Sequence, residues 1–282
     1  MMTVHPIVGL GQFTAVPGGV QANLDVMLEQ LDQAGPEALD LMCFPELCLP
    51  GYLLDAQDYT DQLARDLRKA EEIVQAAADA ADVRIMYGTA RWTTDRRHNC
   101  VVVAEPHAEG ISYAKVHLAG GERAVFSAGD DLVTTADGGI GLGCCYDLAF
   151  AEVSTRLAEA GARVLCFPMA WERQRAFVFE AVVAARAVEN VAYVVCVNQT
   201  GHVQDLDFHG GSRVVDPLGQ TVCHLGEKVG VAVVELDLEW VARLRAAPAG
   251  ATFEFASDRR RDGELRGPVS SMERTGRDSA GP

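Results

Sequence analysis

Residues 141–152 read GLGCCYDLAFAE, and this segment indicates the kind of fold to expect. The apolar run 140–145 predicts a buried strand that ends at a pair of cysteines. A polar turn at Tyr146 and Asp147 follows directly, and a helix is predicted over 151–160. Cys145 is therefore expected at a strand-to-helix turn, close to a helix N-terminus that would stabilise a thiolate. The alternative is a buried structural cysteine.

The alternation of strand and helix extends in both directions from this segment. Helical spacing of apolar residues predicts four further helices, at 21–34, 61–81, 173–190 and 238–246. Apolar runs predict strands at 4–12, 39–44, 84–91, 99–105, 110–115, 131–135, 163–168, 193–198, 211–216, 220–225 and 229–236. Since these strands are apolar on both faces, both faces must be buried. The sequence therefore predicts an α/β protein in which two sheets pack face to face, with helices outside.

Composition and charge exclude several classes of function. The chain has 282 residues and a formal net charge of −16, which argues against nucleic acid, because phosphate binding needs a basic surface. The first residues show neither a signal peptide nor a membrane-spanning run, so a cytoplasmic protein without membrane partners is expected. None of the eight cysteines forms a CxxC pair, so neither a structural zinc site nor a disulfide framework is expected.

The domain organisation is predicted from a change in composition near the C-terminus. No linker divides the chain before residue 256, so residues 1–256 are interpreted as one domain. Residues 257–282 are rich in Arg, Asp, Gly and Ser and nearly lack apolar side chains. This polar tail is expected either to be disordered or to form an arm that crosses to a partner subunit.

Two other segments combine a reactive side chain with a structural break. In Phe44-Pro45-Glu46, a predicted strand ends at the proline. Glu46 is therefore expected at the carboxyl end of that strand, where α/β folds commonly bind ligands. Lys115, in YAKVHL (113–118), closes another strand and opens a polar loop. Taken alone, Glu46 could equally be a solvated loop residue, and a lone loop lysine such as Lys115 is usually solvated.

The three segments together resemble the nitrilase superfamily of carbon–nitrogen hydrolases, over roughly residues 4–245. FPELCLPGY (44–52), YAKVHL and GLGCCYDLAFAE are similar to the glutamate, lysine and cysteine segments of that family. GERAVFSAGDD (121–131), FPMAW (167–171), RAVEN (186–190) and HGGSRVVDPLG (209–219) are similar to its other segments. The resemblance implies a four-layer α-β-β-α sandwich, homodimers or larger homo-oligomers, and neither a metal nor an organic cofactor.

The resemblance also implies a role for each matching residue. The nucleophile of the family directly precedes Tyr-Asp, which selects Cys145 and not Cys144. Glu46 would act as general base and acid, and Lys115 would stabilise the oxyanion together with the backbone N–H of Tyr146. Glu122 is expected to orient Lys115 and the substrate, and Trp171 and Met169 are candidate contacts of the substrate pocket.

The expected activity is hydrolysis of a small aliphatic amide or N-carbamoyl amine through a thioester on Cys145. A true nitrilase is an alternative, because it would use the same three residues. A catalytically silent ligand-binding scaffold is an alternative of another class. Ala119 and Ala151 depart from the usual family pattern, which leaves the shape of the pocket and the substrate open; ω-amino, guanidino and keto-acid amides are all candidates.

Overall fold

The computed structural model describes residues 3–137 and 139–246. The polar tail at 257–282, and the last residues of the predicted domain, lie outside the described residues. The α-helices are α1 (Val20–Gln33), α2 (Asp61–Ala81), α3 (Ala151–Glu159), α4 (Ala176–Asn190) and α5 (Leu238–Ala246). The strands are β1 (Ile7–Gln12), β2 (Leu41–Cys43), β3 (Arg84–Trp92), β4 (Arg97–Ala104), β5 (Ile111–Ala114), β6 (Val133–Thr134), β7 (Ile140–Leu142), β8 (Val164–Met169), β9 (Tyr193–Asn198), β10 (Thr200–Val203), β11 (Leu206–His209), β12 (Arg213–Val215), β13 (Thr221–His224) and β14 (Gly230–Glu235).

Twelve of these strands form two six-stranded sheets. The first has the order β14-β1-β2-β3-β4-β5, and the second has the order β13-β12-β9-β8-β7-β6. Within each sheet the central strands are parallel: β1, β2 and β3 in the first, and β7, β8 and β9 in the second. The remaining neighbours pair antiparallel, so each parallel centre is flanked by antiparallel strands.

Alternating side chains of each strand belong to different layers. In β2 and the residue after it, Leu41 and Cys43 lie in the core shared with the second sheet, whereas Met42 and Phe44 pack in a cluster with residues of α1 and α2. The second sheet is covered by α3 and α4, which contact β7, β8, β9 and β12. Because strand side chains alternate between the two faces, an apolar run buries both. The predicted four-layer α-β-β-α sandwich is confirmed.

The structure differs from the sequence prediction in one element and at several boundaries. The hairpin of β10 and β11 was not predicted, since its strands are short and partly polar. The helix predicted from residue 173 is a 3-10 turn at Arg173–Arg175 followed by α4. The strand predicted to reach Cys145 ends at Leu142. In the part of the chain that the structure describes, no helix is both long and apolar enough to span a membrane.

Candidate active site

Cys145 lies at a sharp turn between β7 and α3. Its backbone φ is +43°, a left-handed conformation that is costly for a residue with a side chain. The Asp147 carboxylate holds the turn, because it accepts hydrogen bonds from the backbone N–H of Cys144 (3.0 Å), the backbone N–H of His117 (2.9 Å) and the Tyr113 hydroxyl (2.7 Å). The conformation of Cys145 is therefore fixed by a buried carboxylate that joins the turn to the loop after Lys115.

Glu46 follows β2 and is held from both sides by backbone groups. Its N–H donates to the Met169 carbonyl over 3.3 Å, and its own carbonyl accepts from the Gln199 side-chain amide at 2.9 Å. A Cβ added at Gly88 would lie 2.1 Å from the backbone nitrogen of Leu47, so only glycine fits there. This close approach of β3 helps to place the Glu46 carboxylate, which is completely buried.

Lys115 is the cation at the centre of the site. Its side chain is fully buried, and its Nζ lies 2.6 Å from Glu46 Oε1 and 2.8 Å from Glu122 Oε1. The Lys115 backbone N–H donates to the Asn99 carbonyl at 2.9 Å, which fixes the residue against β4. Two carboxylates thus share one ammonium group in a dry environment, where electrostatic interactions are strong.

The two oxygens of Glu46 have different environments. Oε1 accepts hydrogen bonds from Lys115 Nζ, from Asn99 Nδ2 at 2.7 Å and from Cys144 Sγ at 3.3 Å. Oε2 is buried and has no hydrogen-bond partner among the residues that the structure describes. Because a carboxylate has lone pairs on both oxygens, Oε2 is the atom available to accept a further proton.

The carboxylates respond to this environment in opposite directions. Burial alone would raise the pKa of Glu46, but the charge of Lys115 and hydrogen bonds from Lys115 and Asn99 hold the pKa below its ordinary value. Burial and the neighbouring Glu46 charge raise the pKa of Glu122. Burial opposes the charge on Lys115 too, but the surrounding anions keep the pKa of Lys115 well above its ordinary value. Glu46 is thus the carboxylate that the site keeps ionised.

Burial raises the pKa of the Cys145 thiol, and the Glu46 carboxylate raises it further. The expected position next to a helix N-terminus is wrong: a 3-10 turn, Cys145–Ala149, begins at the cysteine, and α3 begins only at Ala151. A neutral thiol beside an ionised carboxylate is a nucleophile that needs a base, not a preformed ion pair.

This protonation state can be tested directly. Between about pH 6 and about pH 9 we expect no thiolate absorbance from Cys145, although a thiol of ordinary pKa, about 8.5, would ionise across that range. The measurement is the ultraviolet difference spectrum between the native protein and its Cys145→Ala variant during a pH titration. A thiolate signal near neutral pH that disappears in the variant would contradict the neutral-thiol assignment.

Cys145 also opens onto a cavity of about 320 Å³. Of the predicted pocket residues, Tyr146 and Trp171 line it. Met169 does not, because its side chain lies in the core and only its carbonyl supports Glu46. Glu122 is buried behind the cavity wall, against Lys115. The full lining consists of Tyr52, Ala119, Cys145, Tyr146, Ala149, Ala170, Trp171, Glu172, Arg175 and Val178.

Three site residues were not singled out from the sequence. Asn99 bridges the two carboxylates, with its Nδ2 2.7 Å from Glu46 Oε1 and 3.3 Å from Glu122 Oε1. The Tyr52 hydroxyl donates to Glu122 Oε1 at 2.7 Å, and Gln199 supports the Glu46 backbone. Tyr52 ends the FPELCLPGY segment, which could have drawn attention to it. Asn99 stands in an apolar strand, where a lone polar residue is a usable signal.

Comparisons with known proteins identify the family of the chain. The family model described as Carbon-nitrogen hydrolase matches residues 7–246. An (R)-stereoselective amidase of Pseudomonas sp is 35% identical over 226 residues, which cover 78% of this chain and 80% of that protein. The 2-oxoglutaramate amidase of Bacillus subtilis (strain 168) is 30% identical over 213 residues, covering 73% of this chain and 81% of its own length.

Solved structures add a chemical parallel. A mutant of the amidase from Nesterenkonia sp. AN1, 28% identical, superimposes with a TM-score of 0.79 over 92% of this chain and 95% of its own. That structure shows covalent addition of the acetamide moiety of fluoroacetamide at its active-site cysteine. Another mutant of the same amidase, from the nitrilase superfamily, has a TM-score of 0.76. The chain therefore belongs to the carbon–nitrogen hydrolase family of the nitrilase superfamily, whose members act on carbon–nitrogen bonds other than peptide bonds.

Proposed function

We propose that this protein hydrolyses an aliphatic amide or N-carbamoyl amine through a thioester on Cys145, with Glu46 as base and acid. The observation that carries the proposal is the position of Cys145, which lies on the wall of the cavity and within the electrostatic influence of the buried Glu46–Lys115 pair. An amide carbonyl is a poor electrophile, so it needs both an activated nucleophile and charge stabilisation. This site offers the groups for both.

In the first half of the reaction, the Cys145 thiol gives its proton to Glu46 as the sulfur attacks the amide carbon. Oε2 is suited to receive that proton, because Oε1 already has three donors. The carbonyl oxygen becomes an oxyanion, held by Lys115 and the backbone N–H of Tyr146. An ammonium group has three donors, and two of those on Lys115 point to carboxylates, so one remains for the substrate.

In the second half, protonated Glu46 gives its proton to the leaving amine, and the carbon–nitrogen bond breaks to leave a thioester. Water then attacks the thioester carbon and transfers a proton to Glu46. The acid departs as the sulfur recovers a proton. Proton transfer of this kind contributes about 10²–10⁴-fold in rate, and one oxyanion donor contributes about 3–4 kcal/mol. Glu122 acts on Lys115, whose ammonium group it holds at 2.8 Å.

The different roles proposed for Glu46 and Glu122 can be tested with one variant of each. Glu46→Gln keeps the side chain's size but removes the base, so kcat is expected to fall by about 10²–10⁴-fold. Glu122→Gln keeps a hydrogen-bonding group next to Lys115 and is expected to lose less activity. Steady-state kinetics of both variants, with thermal unfolding as a check on folding, give the comparison. A larger loss in Glu122→Gln would reverse the assigned roles.

The reaction itself is tested by ammonia release from a panel of primary amides, N-carbamoyl amines and nitriles. Release from one class that is absent in Cys145→Ala supports the proposal, and intact-mass detection of an acyl adduct on the native protein would identify the thioester. Nitrile turnover without amide turnover would instead indicate a nitrilase. If fluoroacetamide left Cys145 unlabelled and no member of the panel reacted, the proposal would fail in favour of a silent scaffold.

A further inference from the structure

Three positions of the cavity wall that includes Cys145 carry small side chains. Ala119, Ala149 and Ala170 all line the cavity, and each contributes only a methyl group. Larger side chains at these positions would project into the space that a substrate occupies. The small residues come from three different segments: the loop after Lys115, the turn that begins at Cys145 and the end of β8. Together they leave room for an acyl group of substantial size.

Two of the three aromatic residues in the wall, Tyr52 and Trp171, present apolar surface. The Tyr52 hydroxyl donates to Glu122 at 2.7 Å, and the Trp171 Nε1–H donates to the Arg175 carbonyl at 2.9 Å. Both polar ends are therefore satisfied within the protein, and what these two residues offer a ligand is ring surface. Val178 adds apolar surface to the same wall.

The charged residues of the cavity are more exposed than the nucleophile, which is buried. Arg175 is exposed and Glu172 is partly exposed, whereas Tyr52, Ala170 and Trp171 are buried. A charged substituent next to the amide carbon would therefore face rings and methyl groups, and would lose its hydration without a partner. The site favours an uncharged group there.

The cavity has room for more than a minimal acyl group. Its volume of about 320 Å³ lies within the range of about 300–1,000 Å³ that is usual for small-molecule sites. Acetamide, whose acyl body is a single methyl group, would leave most of this space unfilled. Burying each additional methylene is favourable, and the gain corresponds to a factor of about four per methylene.

We propose that the preferred substrates are primary amides whose acyl group is an uncharged apolar chain longer than the methyl group of acetamide, bound against Tyr52, Trp171 and the three alanines. The inference rests on the proposed function of the site and narrows its substrate class. Amides with a carboxylate or ammonium group next to the carbonyl are disfavoured by the same wall.

A chain-length series tests the inference. For acetamide, butyramide and hexanamide, kcat/KM is expected to rise by about fourfold per methylene, or about 15-fold for each step of two. Values that stay flat or fall from acetamide to hexanamide would overturn the inference. Malonamic acid carries its carboxylate one carbon from the amide carbon and is similar in size to butyramide, and its preference over butyramide would overturn the inference as well.

Substitutions at the alanines test whether these positions determine the selectivity for acyl-chain length. Ala119→Leu and Ala149→Leu each fill part of the cavity, so the ratio of kcat/KM for hexanamide to that for acetamide is expected to fall by about tenfold or more. Ala22→Leu is the matched control, because Ala22 is exposed on α1 and does not line the cavity; its ratio is expected to equal that of the native protein. An unchanged ratio in both cavity variants would contradict the proposed position of the acyl chain.

Binding to the Cys145→Ala variant separates this inference from the proposed function. Calorimetry on that variant needs no turnover, and the Kd is expected to decrease from acetamide to hexanamide by a similar factor per methylene. Tighter binding of longer amides without hydrolysis by the native protein would overturn the proposed reaction and keep the apolar acyl site. If the native protein hydrolysed amides but neither kcat/KM nor Kd depended on chain length, the inferred acyl site would be overturned and the proposed reaction would stand.

Discussion

Cys145→Ala is expected to lower kcat/KM toward amides by about 10⁴-fold or more while the protein remains folded. The thiol is the only group of the proposed mechanism that forms a bond to carbon, and loss of a nucleophile removes the whole covalent route. Cys145 is buried in the described structure, but it opens on a cavity, so removing one sulfur atom has little packing cost. Kinetics and thermal unfolding measured on the same preparation test both parts of this expectation.

Cys144→Ala is the matched control, because it removes a second thiol from the neighbouring position. Cys144 is fully buried and donates to Glu46 Oε1 at 3.3 Å, but Lys115 and Asn99 still hold that oxygen in the variant. We expect turnover within about tenfold of the native value and a stability loss of about 1 kcal/mol. If Cys144→Ala were inactive and Cys145→Ala active, the nucleophile would be Cys144.

The positions of the principal side chains could be predicted because each ends an apolar strand. Glu46 follows β2, Lys115 follows β5 and Cys145 follows β7, and the packing of two sheets brings these ends together. Strand patterns report on burial, which is a local property of the sequence. The layered fold followed from the same patterns, because strands apolar on both faces need a cover on each side.

The supporting contacts could not be predicted in the same way. Asn99 bridges Glu46 and Glu122, residues 53 and 23 positions away along the chain, through register between β4 and its neighbours. The raised pKa of Cys145 depends on how deeply the thiol and Glu46 are buried together, which strand patterns do not specify. Met169 was expected at the pocket because it ends β8, but the pleat points its side chain into the core.

The buried charges of Glu46, Glu122 and Lys115 affect stability as well as catalysis. Glu46 and Glu122 are both removed from water, and Lys115 is the cation that contacts both of them in the described structure. A buried carboxylate without its partner is strongly destabilising, because its lost hydration is no longer offset. The group that would stabilise the oxyanion is thus also the group that permits two carboxylates to be buried side by side.

Lys115→Met is therefore expected to lose stability as well as activity. Two buried carboxylates would be left without their cation, at a cost of about 3–5 kcal/mol, which corresponds to a Tm lower by roughly 6–20 °C. Activity should fall by at least about 10²–10³-fold, because an oxyanion donor is lost. Lys69→Met, at an exposed position of α2, is the control and should change neither quantity. An unchanged Tm in Lys115→Met would show that the charges are compensated in another way.

The pH dependence of that loss has a definite sign. In the native protein the pKa of Glu46 is lowered, so its contribution to stability is present above the ordinary carboxyl pKa and is lost as pH falls through the folded value. Without Lys115, burial and mutual repulsion would raise the pKa of both carboxylates, and a raised folded pKa gives stability that is lost as pH rises. The Tm deficit of Lys115→Met should therefore shrink from about pH 8 to about pH 5. Adding Glu122→Gln to Lys115→Met should recover part of the Tm at neutral pH, because it removes one buried charge. It should not recover activity, because it supplies no oxyanion donor. If the Tm deficit changed neither with pH nor with the added Glu122→Gln substitution, unpaired carboxylates would be excluded as its cause.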